Sequence, residues 1–240
     1  MEAGYRPMAN LVARVDATPF NGLQRILKRG REEVMRIDIS NVQSVLCGCV
    51  LLGAFASAGI AHFRLLDPPS WLQEAANGDP QWLAPCGGSS SDPGKPSGQV
   101  TSIQGGEKLH ITIRETAFHP GFYRVALAVN SRDELPKDPE ARTEPSANGE
   151  RSVSGAIQYP PSPPVLADGL FQHISPFDKD QEANVEIPNI NCSKCTLQVV
   201  EFMAAHSRNK EGDFTYHHCA VLQIRANPNK PIDTRFPVER

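Results

Sequence analysis

Residues 42–61 (VQSVLCGCVLLGAFASAGIA) carry no charge and end in small residues, and the next residue is a histidine. A helix of about 20 apolar residues is long enough to span a bilayer. A run rich in Gly, Ala and Ser, with Gly59 and Ala61 at the −3 and −1 positions of a cut, instead fits a signal peptide. The sequence beyond lacks stop-transfer charges, which favours the signal peptide over the transmembrane anchor. The segment ahead of the apolar run is weakly basic, with Arg36 offset by Asp38 after Met35. Residues 1–34 show no apolar periodicity that would fold alone. The expected organisation is an N-terminal extension or misassigned start over 1–34, a signal peptide over 35–61, and one domain over 62–240. A lipoprotein cysteine at Cys47 or Cys49 would sit too early in the apolar run.

Cleavage after Ala61 makes His62 the first residue and puts the protein outside the cell or in the periplasm, with no membrane association left. It also removes Cys47 and Cys49, leaving Cys86, Cys192, Cys195 and Cys219. An even cysteine count in an exported chain points to two disulfides. Four cysteines allow three pairings, and the sequence does not choose; Cys86 with Cys219 and Cys192 with Cys195 is the expected one.

With a net charge of −3, and its one dense basic stretch at Arg25 to Arg31 ahead of the apolar run, the chain offers no footprint for nucleic acid. Its 21 prolines and 18 glycines separate short β-rich runs, which favours an all-β immunoglobulin- or fibronectin-like sandwich with long loops over a helical bundle. Residues 108–116 (KLHITIRET) and 122–129 (FYRVALAV) alternate with the period of half-buried strands. Further strands are expected over 183–187, 196–203 and 220–225. The Gly, Ser and Pro content of 85–98 marks a loop. The prolines of 131–164 read as a long mobile excursion outside the core, and 70–76 is the place for a short helix. His119 precedes Pro120-Gly121, a strong turn signal, so it sits where a strand reverses.

A terminal histidine chelates a metal through its α-amine and ring Nδ1. A third nitrogen, from His119, completes a planar T that suits copper better than zinc, which prefers four tetrahedral ligands. The α-amine titrates near neutrality, so a metal displaces its proton at little cost.

Three segments carry a resemblance: the start His62-Phe-Arg-Leu-Leu-Asp-Pro-Pro; Glu115-Thr-Ala-Phe-His119-Pro-Gly-Phe-Tyr-Arg-Val-Ala-Leu; and Cys192-Ser-Lys-Cys-Thr-Leu-Gln-Val-Val. Over residues 62–226 the chain resembles a bacterial branch of the lytic polysaccharide monooxygenases. The resemblance implies one copper ion in a histidine brace on a flat face of the sandwich. It implies oxidative cleavage of a chitin- or cellulose-like polysaccharide using oxygen or hydrogen peroxide, with an external electron donor, by a monomer. His62 would supply the amine and Nδ1, His119 a ring nitrogen, Nε2 in the family, and Tyr216 the axial ring. Where relatives show Cys-Ala-Asp, this chain has Cys219-Ala220-Val221, so an expected carboxylate is missing. The rival is a copper protein of the same fold that takes up, stores or delivers the metal without oxidising sugars.

Other readings of these residues are blander. Cys192, Cys195 and Cys219 with His217 or His218 are chemically apt for zinc, although an oxidising compartment favours disulfides. A redox Cys-x-x-Cys would need a βαβ pattern, and none surrounds it. His217 and His218 alternate across a strand, so His218 shares Tyr216's face and is the better outer-shell candidate, while His217 points away or to solvent. Glu201 and His206 could shape hydrogen bonding around bound oxygen, or be ordinary exposed or satisfied polar residues. His110 and His173 have no positional argument. Trp71 and Trp82 suit either sugar stacking or the core.

Overall fold

The computed structural model describes residues 62–240. The expected extension, the signal peptide, Cys47 and Cys49 lie outside them. The described residues form ten strands: β1 (His62–Asp67), β2 (Thr101–Gln104), β3 (Lys108–Ala117), β4 (Gly121–Ala128), β5 (Ala141–Ser146), β6 (Gly149–Gly155), β7 (Val165–His173), β8 (Gln181–Glu186), β9 (Cys192–Met203) and β10 (Thr215–Arg225). They form a three-stranded sheet, β1-β3-β8, a five-stranded sheet, β2-β10-β9-β4-β7, and a β5-β6 hairpin. β2 and β10 pair in parallel; the other strand pairs among the described residues are antiparallel. The fold is the expected all-β sandwich.

The core follows from alternation. On β3, Leu109, Ile111 and Ile113 are buried while Lys108, His110 and Arg114 point out. They meet Val125, Leu127, Leu197, Val199 and Leu222 of the larger sheet, with Phe63 and Leu65 of β1 completing the layer. Each such side chain contributes about 1.5–3 kcal/mol by leaving water.

β4 and β9 are buried on both faces, and their outer cover is the proline-rich excursion. Phe122, Phe202 and Phe214 cluster on that face beneath Ala141 of β5. Gly155 of β6 lies so close that a Cβ there would meet the Phe202 ring at 2.9 Å. Arg124, also on the outer face, pairs with buried Asp168 at 3.1 Å and donates to the Lys137 carbonyl at 3.0 Å. Residues 131–164 are therefore not a detached excursion. They hold a 3-10 turn (Arg132–Glu134) and a hairpin that seals one side of the sheet.

No helix forms over 70–76. The backbone amides there bond across to other segments, Trp71 N to the Cys219 carbonyl and Gln73 N to the Lys95 carbonyl, both at 2.8 Å, so they cannot enter a helical ladder. β7 escapes a period-2 reading because its pairing with β4 shifts register three times and Gly169 takes a φ of +69°. Both expected disulfides are present, Cys86–Cys219 and Cys192–Cys195. Among the described residues no helix is long and apolar enough to cross a membrane.

Candidate functional site

His62 opens β1 and pairs with Ala117 at the end of β3, which brings it to the β3–β4 turn that carries His119. Its ring stacks on Tyr216 at 5.1 Å between centroids, with planes 18° apart. Trp82 stands edge-on to both rings, 6.1 Å from His62 and 5.3 Å from Tyr216. The His62 Nε2 lies 3.2 Å from Asp79 Oδ1, the oxygen to which the Trp82 indole also donates at 3.1 Å. His62 meets Asp79 through Nε2, so this contact does not use Nδ1.

The loop bearing Asp79, Gln81 and Trp82 is tied to β10. The His217 amide donates to the Gln81 carbonyl at 2.8 Å, and Trp82 N donates to the Gly88 carbonyl at 3.0 Å. The Cys86–Cys219 bridge anchors the same loop covalently. The Gln81 side chain reaches back to accept from Phe63 N at 3.2 Å. Position 62 is thus fixed from two sides.

His119 is placed by the turn after β3. Ala204 N donates to the Pro120 carbonyl at 2.6 Å, and at Gly121 a Cβ would lie 1.9 Å from the Phe202 carbonyl oxygen. Only glycine allows the turn to close this tightly on β9. The turn meets the β9–β10 loop, where the His206 ring sits 4.4 Å from that of His119 at an interplanar angle of 67°. Burial, then the neighbouring His206 and, more weakly, His62, lower the His119 pKa to about 4, against an opposing pull from Glu115. The ring is neutral at physiological pH, as a metal ligand must be. Its Nδ1 is buried with no hydrogen-bond partner among the described residues, whereas the family resemblance implies Nε2 as the ligand.

Beneath these rings Tyr123, Glu201 and Tyr216 are cross-strand neighbours on β4, β9 and β10. Their shared register puts a carboxyl between two phenols on the core side. Glu201 is fully buried, and neither carboxyl oxygen accepts a well-aligned hydrogen bond among the described residues. Burial first, and then the charge of Glu115, push its pKa up to about 8, with the Tyr123 hydroxyl pulling the other way. Burial likewise raises the Tyr216 hydroxyl, offset by Asn209. Glu115 is held by His173 Nε2 at 3.0 Å and the Phe177 amide at 3.0 Å, so His173 gains a position that the sequence did not suggest.

His218 does share Tyr216's face, and it works behind β1. Its Nε2 lies 3.0 Å from the Phe63 carbonyl and its Nδ1 3.1 Å from Glu74 Oε1. Glu74 in turn accepts from the Leu65 amide at 3.2 Å. Burial lowers His218 to about 4, so a neutral ring donates to the Phe63 carbonyl and clamps β10 to the strand that begins at His62. His217 points away from Tyr216's face, as one of the two expected alternatives had it, but into the protein and not to solvent: it is fully buried and its Nε2 sits 2.8 Å from Asp138 Oδ1. Glu201 and His206 are likewise buried, not ordinary surface residues. Trp71 stays apart, donating to the Cys86 carbonyl at 2.8 Å under the Arg132 guanidinium. The cysteine sulfurs are consumed in disulfides, which removes them as zinc ligands.

Val221 lies five residues along β10 from Tyr216 and so on the opposite face. The aspartate implied there would not share Tyr216's face, while the carboxyl that does stand beside Tyr216 belongs to Glu201. Asp79 and Glu115 had no signal in the sequence, since each reaches the site through the loop or strand end that holds it.

No group of three or more His, Cys, Asp or Glu side chains among the described residues is arranged to hold a metal ion. A terminal histidine chelate needs only two side chains, because the α-amine is its third donor. Neither protein-family models nor curated proteins match this chain.

Proposed function

We propose that the protein is an exported copper protein resembling lytic polysaccharide monooxygenases, acting on a chitin- or cellulose-like chain once cleavage has made His62 its first residue. The observation that carries the reading is the His62 environment. Its ring is stacked on Tyr216 and engaged by Asp79 through Nε2, within electrostatic reach of a neutral His119 whose Nδ1 is buried and unpartnered. The donor set fits copper: an α-amine and Nδ1 from His62 and a ring nitrogen from His119, all neutral nitrogens of the kind Cu(II) prefers. Two disulfides accord with an oxidising compartment.

Bound copper would supply the redox chemistry, drawing on an external electron donor and on oxygen or peroxide. The chain's own residues orient and protect. Asp79 fixes the His62 ring, and the Tyr216 ring shields one face of it. With a pKa of about 8, Glu201 holds a proton on its carboxyl at neutral pH and can release it close to that pH. The clamp from His218 to Phe63 keeps β1 in register.

A second reading, a copper carrier for uptake, storage or delivery, draws on Val221, where the oxygenase pattern implies an aspartate. Copper titration followed by electron paramagnetic resonance tests the shared site, using exported protein whose mass confirms a start at His62. An equimolar nitrogen-rich Cu(II) signal, lost in His119→Ala and on adding a residue before His62, is the expected result. A signal that is absent, or that survives both changes, removes copper from the account. Oxidised oligosaccharides released from a glycan then separate the oxygenase from the carrier.

A further inference from the structure

Residues 156–164 (AIQYPPSPP) join β6 to β7, and the stretch 152–167 around them carries no charged side chain. Within this loop Tyr159 is 91% exposed, whereas Tyr123 and Tyr216 are both 0% exposed. The loop that carries the exposed ring is pinned. Ala156 N donates to the Glu140 carbonyl and Gln158 N to Asp168 Oδ2, both at 2.9 Å. That carboxylate is itself buried against Arg124, 3.1 Å away. At the other end, Leu127 N donates to the Pro164 carbonyl and Val165 N to the Ser162 carbonyl, both at 2.9 Å. Between the anchors, Pro160, Pro161, Pro163 and Pro164 each restrict φ to about −65°.

A tyrosine on a stiff loop loses little conformational entropy when its ring is covered, which makes it a preorganised contact. The chemistry around it narrows what can cover it. An uncharged stretch gives no attraction to a phosphate, a nucleic acid or an anionic membrane. Next to Tyr159 are the Gln158 amide and, across the loop, the Ser162 hydroxyl, which bond to each other at 2.6 Å. Both groups can exchange that bond for bonds to hydroxyls of a ligand. A pyranose ring meets both requirements, with an apolar C–H face for the aromatic ring and a rim of hydroxyls for the amide and the serine.

We propose that Tyr159 is a glycan-stacking site that holds one sugar unit of a neutral polysaccharide, apart from the His62 site. Gln158 is tied to Asp168, and the five residues of β7 from there to His173, which pairs with Gly121 at the His119 turn, cover about 15 Å. The proposal rests on the reading that the protein acts on a polysaccharide. A second contact on that glycan raises the effective concentration of chain at the first.

Binding isotherms on insoluble chitin and on cellulose test this, using exported protein starting at His62 with no reductant present, so that no chain is cut. Tyr159→Ala should bind the preferred glycan about 2–10-fold more weakly than wild type. Tyr159→Phe, which keeps the ring, and Val238→Ala, which removes another residue that is 82% exposed, should bind as wild type does. Tetranitromethane nitrates exposed phenols; it should modify Tyr159 ahead of the buried Tyr123 and Tyr216, and saturating chito- or cello-oligosaccharide should block it. Equal binding by Tyr159→Ala, or nitration that the saturating oligosaccharide does not slow, overturns the proposal and leaves the polysaccharide reading standing. Weakened binding by Tyr159→Phe also overturns it, because stacking on the ring is then not the source of affinity. A wild type that binds neither glycan removes both the site and the polysaccharide reading, while copper titration judges the His62 site separately.

Discussion

Replacing Glu201 with glutamine should change how stability depends on pH more than it changes stability itself. The carboxyl is fully buried between Tyr123 and Tyr216, and burial followed by the charge of Glu115 raises its pKa from 4.5 to about 8. Below the unfolded value both states are protonated, and the folded state incurs no penalty for this group. As pH rises, the unfolded chain ionises first while the folded chain keeps its proton, so stability falls from about pH 4.5 and levels off above about 8. At about 1.4 kcal/mol per pH unit, the full loss is of the order of 5 kcal/mol. Glutamine never ionises, and so it abolishes this slope. It also introduces an amide that must find partners, at a cost of about 1–3 kcal/mol. That cost is the same at every pH and shifts the curve without tilting it. Urea unfolding of the copper-free, disulfide-intact protein at intervals from pH 4.5 to 9 measures both curves. Their difference, wild type minus Glu201→Gln, should decline across the window and then go flat, since the remaining groups largely cancel. A difference that stays constant with pH would show that Glu201 ionises as it does in water and would refute the reasoning.

The two disulfides should differ in weight: Cys86–Cys219 closes a separation of 133 residues and Cys192–Cys195 one of 3. Chain entropy then assigns about 5 kcal/mol to the first and about 1.6 kcal/mol to the second, so Cys86→Ser/Cys219→Ser should lower the thermal midpoint far more than Cys192→Ser/Cys195→Ser. Ser152→Ala removes the hydroxyl that serves Met203, His206 N and the His206 carbonyl. It should cost about 1–3 kcal/mol and accelerate amide hydrogen exchange in the β9–β10 loop, with little change in β3. Gly121→Ala drives a Cβ against the Phe202 carbonyl and should destabilise by more than about 3 kcal/mol through strain and lost pairing. Its signature is loss of the slow-exchanging amides at the His119 turn before those of β10.

Alternating residues of β3, β4, β9 and β10 made their strands legible, because the period of a half-buried strand is a local property. So did the turn at Pro120-Gly121, since proline and glycine restrict or free the backbone where they stand. The same locality explains why the excursion over 131–164 misled. Its prolines correctly mark a break in the sheet, but the apolar outer face that it covers belongs to β4 and β9, far away in the chain. β1 and β7 were hidden for related reasons, one being short and the other bulged.

The candidate site divides in the same way. His62 and His119 were nameable from neighbouring residues, an apolar run ending at a histidine and a turn, whereas Tyr216 was named only by the family resemblance. The environments of those residues were not. Asp79 reaches His62 only because a disulfide and backbone bonds fold its loop against β10, and His206 reaches His119 only because Ser152 holds it there. Glu201 reads as one more polar residue until register sets it between two tyrosines. Sequence alone determined the strands whose side chains alternate and which residues have the chemistry of a metal ligand, because both depend on residue type and short spacing. Only the tertiary structure decided which groups are buried, charged or neutral, because those properties arise from neighbours supplied by distant strands.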